Sequence, residues 1–243
     1  MCSRMTNTSA THGNAFKKVM FFFGVIAISE VGFSSLCPNN VATTTTYFVP
    51  KMSDYCKGSK PCARFRKQVR LQGSGTMPNG KLLTYTGKKI NLGSCDTAFG
   101  ASGNCLVPFI SVAADPRYYS MGDIIQMPSL KGKTIHLPNG RTMVHPGYLI
   151  VQDTGGAIRG RNRFDFFTGS YGFTNRNNAF GAYGSDDTQM SDKNDCDSRK
   201  TFSVVRRGSG NYEQSLVAIE DALRSSGNQR QVASVQKTAS GAR

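Results

Sequence analysis

Apolar positions along this chain come in short runs broken by glycine, a pattern of strands and tight turns more than of long helices. Thr43 to Pro50 is β-prone and opens the series. Leu106 to Ala114 is an apolar run that leads into Asp115. Met121-Gly122-Asp123 turns into a strand over Ile124 to Met127, and Lys131 to His145 predicts a hairpin closed at Pro138-Asn139-Gly140. Tyr148, Ile150 and Val151 alternate towards Asp153, which places that carboxylate at a strand end. Gly155 and Gly156 then predict a sharp turn with positive φ, and Phe164 to Phe167 the strand that returns. A helical period occurs in Leu216, Ile219 and Leu223, predicting an amphipathic helix over Tyr212 to Ser225. Met52 to Lys67 is basic and cysteine-bearing, a surface insertion by its pattern. Gly169 to Asp197, rich in Gly, Asn and Asp, predicts a long loop, and Gly227 to Arg243 a disordered polar tail.

The first residues set the expected compartment. Lys17-Lys18 precede the apolar stretch Val19 to Ile28, too short to span a bilayer comfortably, which reads as a secretory signal with an overlong leader. Cleavage is expected between Ser29 and Leu36. Leu36 is too large for the position before a lipidated cysteine, so export without lipidation of Cys37 is the expectation, to the periplasm or the cell wall. Loss of Cys2 leaves six cysteines, an even number that suits a disulfide framework in an exported chain. The natural short loops are Cys56 with Cys62 and Cys95 with Cys105, leaving Cys196 for Cys37, although fifteen connectivities are formally open.

The chain has 243 residues, enough for one or two domains and a real core. Its formal charge of +15, from 30 Lys and Arg against 15 Asp and Glu, favours a polyanionic partner. No aromatic-interleaved RNA motif, zinc-ligand spacing or recognition helix accompanies the charge, and charge alone does not choose between nucleic acid, anionic lipid and a cell wall. His136 and His145 are too far from any cysteine or paired carboxylate to predict a metal site, and both are expected as solvated loop residues.

The chemistry concentrates in three aspartates. Asp115 stands in Ala113-Ala114-Asp115-Pro116, while Asp153 and Asp165 bracket the glycine- and arginine-rich stretch between them. One Asp-Thr-Gly or Asp-Pro alone is an ordinary turn former. Two carboxylates on either side of one tight loop can meet in space, a grouping suited to acid/base work on a sugar. Gln152-Asp153-Thr154-Gly155-Gly156-Ala157-Ile158-Arg159-Gly160 and Arg163-Phe164-Asp165-Phe166-Phe167-Thr168-Gly169, together with Asp115-Pro116, resemble the three-aspartate (3D) domain of the lytic murein transglycosylase A family. Leu71-Gln72-Gly73-Ser74-Gly75, followed by Asn79-Gly80 and Tyr85-Thr86-Gly87, looks like the Gln-Gly-Ser-Gly strand and hairpin of the same family. The resemblance covers roughly residues 68 to 170, in the family's motif order.

The resemblance implies a mainly β fold, a double-psi β-barrel over residues 68–200. It would follow a cysteine-bearing segment at 37–67 and precede a strand and helix at 201–226. It also implies cleavage of peptidoglycan glycan strands between N-acetylmuramic acid and N-acetylglucosamine, leaving 1,6-anhydro ends, with no cofactor and no metal. With this resemblance the expected partner is peptidoglycan and not nucleic acid. By match to the motif Asp165 is the acid/base, with Asp153 and Asp115 supporting it and raising its pKa. Gln72, Ser74, Thr154, Gly155, Gly156, Arg159 and Arg163 fall at substrate-binding positions. Two departures stand out. Only about forty residues, Gly75 to Asp115, separate the two motifs where larger family members insert a second barrel domain. After Asp165 the chain reads Phe166-Phe167-Thr168-Gly169 in place of the usual Tyr-Trp-Gly-like sequence. A non-catalytic, expansin-like glycan-binding barrel is the alternative, because a fold does not guarantee its chemistry. A hydrolase that admits water is a third.

Overall fold

The computed structural model describes residues 40–93, 95–180, 196 and 198–241. The expected leader, Cys37 and residues 181–195 and 197 of the expected loop lie outside them. The fold is mainly β, with mixed sheets and three helices. Its chief element is a six-stranded sheet of β1 (Thr43–Tyr47), β5 (Ser111–Ala114), β6 (Ile124–Gln126), β9 (Tyr148–Asp153), β10 (Arg163–Phe167) and β11 (Ser203–Val205), in the order β1-β10-β5-β9-β6-β11. β1 runs parallel to β10 and β5 parallel to β9; the remaining pairs are antiparallel. β5 is buried at all four positions, as its small apolar sequence requires of a strand covered on both faces.

The expected β9–β10 hairpin does not form: β5 lies between the two strands and bonds to both. Antiparallel hydrogen bonding of β10 to Val112–Ala114 and parallel bonding of β9 to Ser111–Ala113 saturate the two edges that a hairpin would have joined. The ladders do not close the sheet into a barrel among the described residues. Its two outer edges are nevertheless stitched by an isolated antiparallel bridge, Val41 to Thr201. There the Ala42 N–H donates to the Lys200 carbonyl (2.9 Å) and the Phe202 N–H to the Asn40 carbonyl (2.8 Å).

The main core gathers Phe109, Ile110, Ile124, Ile150, Phe164 and Phe166 with the apolar faces of α2 (Tyr212–Ser225) and α3 (Gln229–Ser240). α2 matches its predicted bounds and buries Leu216, Ile219 and Leu223. Residues 229–240, expected as disordered tail, form α3 instead. Its inward face mixes Val232, Val235 and Ala239 with Gln231, Ser234 and Thr238, so the polar members hid the period. Those polar groups are satisfied: Ser234 donates to the Cys105 carbonyl (2.6 Å), and the Thr238 hydroxyl receives Asn104 Nδ2 (3.1 Å) and Gln152 Nε2 (2.8 Å). His145 also departs from expectation. It is buried, receives the Gly147 N–H at Nδ1 (3.0 Å) and donates from Nε2 to the Phe109 carbonyl (2.8 Å). It follows the predicted hairpin of β7 (Thr134–His136) and β8 (Thr142–Val144).

A smaller lobe flanks the sheet. It consists of α1 (Ala63–Gln72) and the three-stranded sheet β2 (Ser74–Thr76), β3 (Lys81–Thr84) and β4 (Lys89–Asn91), around Met52, Phe65, Val69, Met77 and Leu83. α1 runs across the expected segment boundary at residue 68, and the expected Gln-Gly-Ser-Gly strand begins only at Ser74. Gly75 explains why the motif needs a glycine there: a Cβ would sit 2.7 Å from the Phe65 ring and from Val69, so its absence lets β2 lie against the helix. The disulfide Cys56–Cys62 pins the entry to α1.

Candidate functional site

The sheet register assembles the site. Ala113 of β5 is paired with Asp165 of β10 on one side and with Asp153 of β9 on the other, and Asp165 is paired with Thr45 of β1. Thr45, Asp165, Ala113 and Asp153 thus form one row across four strands. Two inter-strand spacings separate the backbones of the two aspartates, roughly 10 Å. The Ala113 methyl leaves that interval open, and it forms part of the floor of a cleft of about 750 Å³. A bulge between β5 and β9 at Val112/Ala113 makes the row possible. It turns Gln152 inward to Ser111 and Thr238 while Asp153 faces the cleft.

Both cleft carboxylates are oriented by β1. The Thr45 hydroxyl donates to Asp165 Oδ1 at 2.7 Å and itself receives Arg163 Nη2 at 2.8 Å. The Tyr47 hydroxyl donates to Asp153 Oδ2 at 2.9 Å, with its ring packed on Phe167. Asp153 Oδ1 also receives the Ala101 N–H at 2.9 Å. Burial raises the Asp153 pKa above its ordinary value, against the lowering effect of those hydrogen bonds. Burial, and then the adjacent Asp153 charge, hold the Tyr47 hydroxyl well above its ordinary pKa, so it remains a donor. Thr45 and Tyr47 were not singled out by sequence. The signal was their i, i+2 spacing on a strand, legible only once β1 was known to lie beside β10.

The remaining predicted residues divide. Gln72, Ser74, Thr154, Gly155 and Gly156 line the same cleft as Asp153 and Asp165. Gln72 Oε1 also receives the Phe48 N–H at 3.2 Å, linking the small lobe to the end of β1. Gly155 and Gly156 do not adopt the expected positive φ; Gly160 does, at 105°. Gly155 is needed for space, since a Cβ would meet Ile158 at 2.8 Å. Arg159 is exposed and does not line the cleft. Arg163 does not line the cleft, and its Nη2 donates to Thr45.

Asp115 is not brought into the cleft. It is fully buried at the end of β5, where Arg117 donates from Nε (3.1 Å) and Nη2 (2.7 Å) and the Gly160 N–H donates to Oδ2 (2.8 Å). The Arg117 hydrogen bonds hold its carboxyl well below the usual range. So paired, and outside the cleft, it does not stand beside Asp165 as the expected role would have it. Through Gly160 it anchors the 154–162 loop instead.

Residues 110–185 match the family model of the 3D domain. Over that stretch the chain is similar to 3D domains. All three aspartates lie within it, whereas Thr45, Tyr47 and the small lobe are supplied from outside the matched stretch. Among solved structures the chain is similar to the lytic transglycosylase LtgG of Burkholderia pseudomallei, with 16% identity over 52% of this chain and 64% of that one (TM-score 0.32). It is similar to E. coli MltA with bound chitohexaose, at 16% identity over 54% and 65% (TM-score 0.35). A third is MltA from Neisseria gonorrhoeae, at 19% over 43% and 40% (TM-score 0.25). The matches span less than two thirds of the length of each of these chains. No curated protein matches the chain significantly.

The cleft beside the 3D domain has an apolar rim. Leu71, Tyr85, Ile90 and Phe99 line it, and they are four of the six large apolar side chains left exposed among the described residues. Three come from the small lobe and the fourth, Phe99, from the loop closed by the Cys95–Cys105 disulfide. That loop also supplies the Ala101 N–H to Asp153. At Gly100 a Cβ would fall on the Gln152 carbonyl oxygen. Gly100→Ala is therefore expected to destabilise the fold by about 1–3 kcal/mol through backbone displacement. It should also lower site function beyond the stability loss, because Ala101 moves with it. Chemical denaturation alongside a functional assay below the unfolding transition checks both; unchanged values would remove the loop from the site.

Proposed function

We propose that the chain is an exported peptidoglycan lytic transglycosylase acting in this cleft. The observation that carries the reading is the Thr45–Asp165–Ala113–Asp153 row, whose last three members lie in the stretch that matches the 3D domain, beneath an apolar rim suited to the faces of sugar rings. Asp165 is the acid/base. Its carboxylic acid protonates the glycosidic oxygen as the C1–O bond breaks. The resulting carboxylate then takes the proton of the muramic acid C6 hydroxyl as that oxygen bonds to C1, leaving a 1,6-anhydro end. The nucleophile is intramolecular, so no second carboxylate need activate water, and its effective molarity is high. Thr45 fixes the Asp165 carboxyl and Arg163 fixes Thr45. Asp153, held by the Tyr47 hydroxyl and the Ala101 N–H, faces the cleft across Ala113 and positions the substrate. Gln72, Ser74, Thr154, Gly155 and Gly156 bind the glycan from the cleft walls; Arg159 stands outside it, a contact for an overhanging part of the substrate.

The fold we propose for the sheet is the double-psi β-barrel. Support comes from β5 threaded between antiparallel β9 and β10, and from the bridge that joins the sheet's outer edges. Export is supported by the disulfides Cys56–Cys62 and Cys95–Cys105. Cys196 is also disulfide-bonded, and Cys37, its expected partner, lies outside the described residues. No helix among the described residues is long and apolar enough to cross a membrane. Mass spectrometry of intact sacculi digested with the purified protein tests the activity. Anhydromuramic ends are expected. Reducing ends would make it a hydrolase, and sacculus binding without products would make it the glycan-binding barrel.

A further inference from the structure

The charge of this protein is unevenly spread. Residues 51–93, which form the small lobe, hold ten of the chain's thirty Lys and Arg against one acidic residue, Asp54. α1 contains no acidic residue, and its Arg64, Arg66, Lys67 and Arg70 are all exposed. Arg66 and Arg70 stand one helical turn apart on the same face. Together with Tyr85 and Thr86 of the β3–β4 turn they line a second, smaller pocket of about 240 Å³. Neither arginine has an acidic partner among the described residues. Arg66 donates only Nε, to the Pro61 carbonyl at 3.2 Å, which leaves the outer edge of its guanidinium for another acceptor. Two like charges held at i, i+4 repel, and nothing in the lobe offsets them. Arg70 and Tyr85 also line the main cleft, so the two cavities share a wall.

We propose that this pocket is a carboxylate subsite, which holds a peptide carboxylate pendent from a glycan lying in the neighbouring cleft. Planar guanidinium forks match carboxylates in geometry, and the pocket has room for a group of that size. A glycan laid along the apolar rim past Tyr85 and Leu71 carries its side groups over Arg70 and into the space before Arg66. The subsite selects peptide-bearing over peptide-free strands and fixes which sugars face Asp165. The proposal rests on the glycan-cleaving reading of the cleft for its context, but not for its test.

The test has two arms. In the first, binding of an acidic tripeptide with free carboxylates, and of its fully amidated counterpart, is followed by amide chemical shifts in the native, disulfide-intact protein. The free acid is expected to perturb residues 66–70 and 84–87, with an affinity that falls with salt, and the amidated peptide is not. Arg66→Gln should weaken the acid's binding about three- to fivefold, the effect of one exposed ion pair, with the melting temperature unchanged. Arg66→Lys should recover part of it. In the second arm, turnover of intact sacculi is compared with that of glycan strands stripped of peptides. Arg66→Gln is expected to raise KM on sacculi by the same factor and to leave the stripped strands unaffected. Equal loss on both substrates, or acid and amide bound alike, would overturn the subsite. If neither substrate is turned over while the acid still binds at Arg66, the catalytic reading fails and the subsite stands.

Discussion

Asp165→Asn is expected to reduce the release of anhydromuramic products by at least about a hundredfold, while melting temperature and sacculus binding stay close to wild type. The amide keeps the shape of the carboxylate and can still accept the Thr45 hydrogen bond, so the row across the sheet survives. What it lacks is a transferable proton, and positioned proton transfer typically contributes 10²–10⁴-fold. Thr45→Val should act on the same group more mildly. It removes one oriented hydrogen bond, worth about 0.5–1.5 kcal/mol, so a loss of roughly two- to tenfold is expected. Tyr47→Phe removes the corresponding bond to Asp153 and should shift the pH profile of turnover more than its maximum, because the group it touches is the carboxyl whose pKa burial has raised. If Asp153→Asn abolishes turnover and Asp165→Asn does not, the two carboxylates exchange roles. Kinetics on solubilised glycan with product identification by mass spectrometry separates these outcomes.

Much of this arrangement was legible in the chain, for identifiable reasons. β9 ends at Asp153 because Tyr148 to Val151 announces a strand and Gly155 ends it, a local signal. α2 was legible for the same reason, since Leu216, Ile219 and Leu223 need no partner to define a face. The two short disulfides followed from loop length. The order of strands was not legible. Two apolar strands joined by a loop of nine residues, 154–162, suggest a hairpin, and nothing local says that Ser111–Ala114 will insert between them. That insertion decides the site. It sets the aspartates on either side of Ala113 and leaves Asp115 beyond the cleft, clamped by an arginine two residues away. α3 was missed because half of its buried face is polar, and those side chains are satisfied by Asn104, Cys105 and Gln152, which are distant in sequence. The sequence predicts His145 as a loop residue because burial of a histidine depends on what folds over it.

That histidine makes stability depend on pH just below neutrality. Burial lowers its pKa to about 4, with the hydrogen bond to the Phe109 carbonyl acting weakly in the opposite sense. The geometry agrees, because a second proton would have to go on Nδ1, where the Gly147 N–H already donates. A group whose folded pKa lies below its unfolded value, here about 6.5, contributes stability that is fully present above the unfolded pKa. That stability is lost as pH falls towards 4, because only the unfolded chain takes up the proton in between. Between pH 7 and pH 5 the loss should be about 2 kcal/mol. Asp153, with its pKa raised, acts with the opposite sign. Activity should fall with stability, because His145 holds the carbonyl of Phe109, a non-glycine residue at φ 62° just before β5, the strand that carries Ala113. Protonation therefore loosens the entry to the central strand of the site. Denaturant melts at pH 7 and pH 5 measure the effect. His145→Gln should melt lower than wild type at pH 7 but lose much less on going to pH 5, because the amide has no proton to gain. An equally steep pH dependence in that variant would assign the acid sensitivity to some other group.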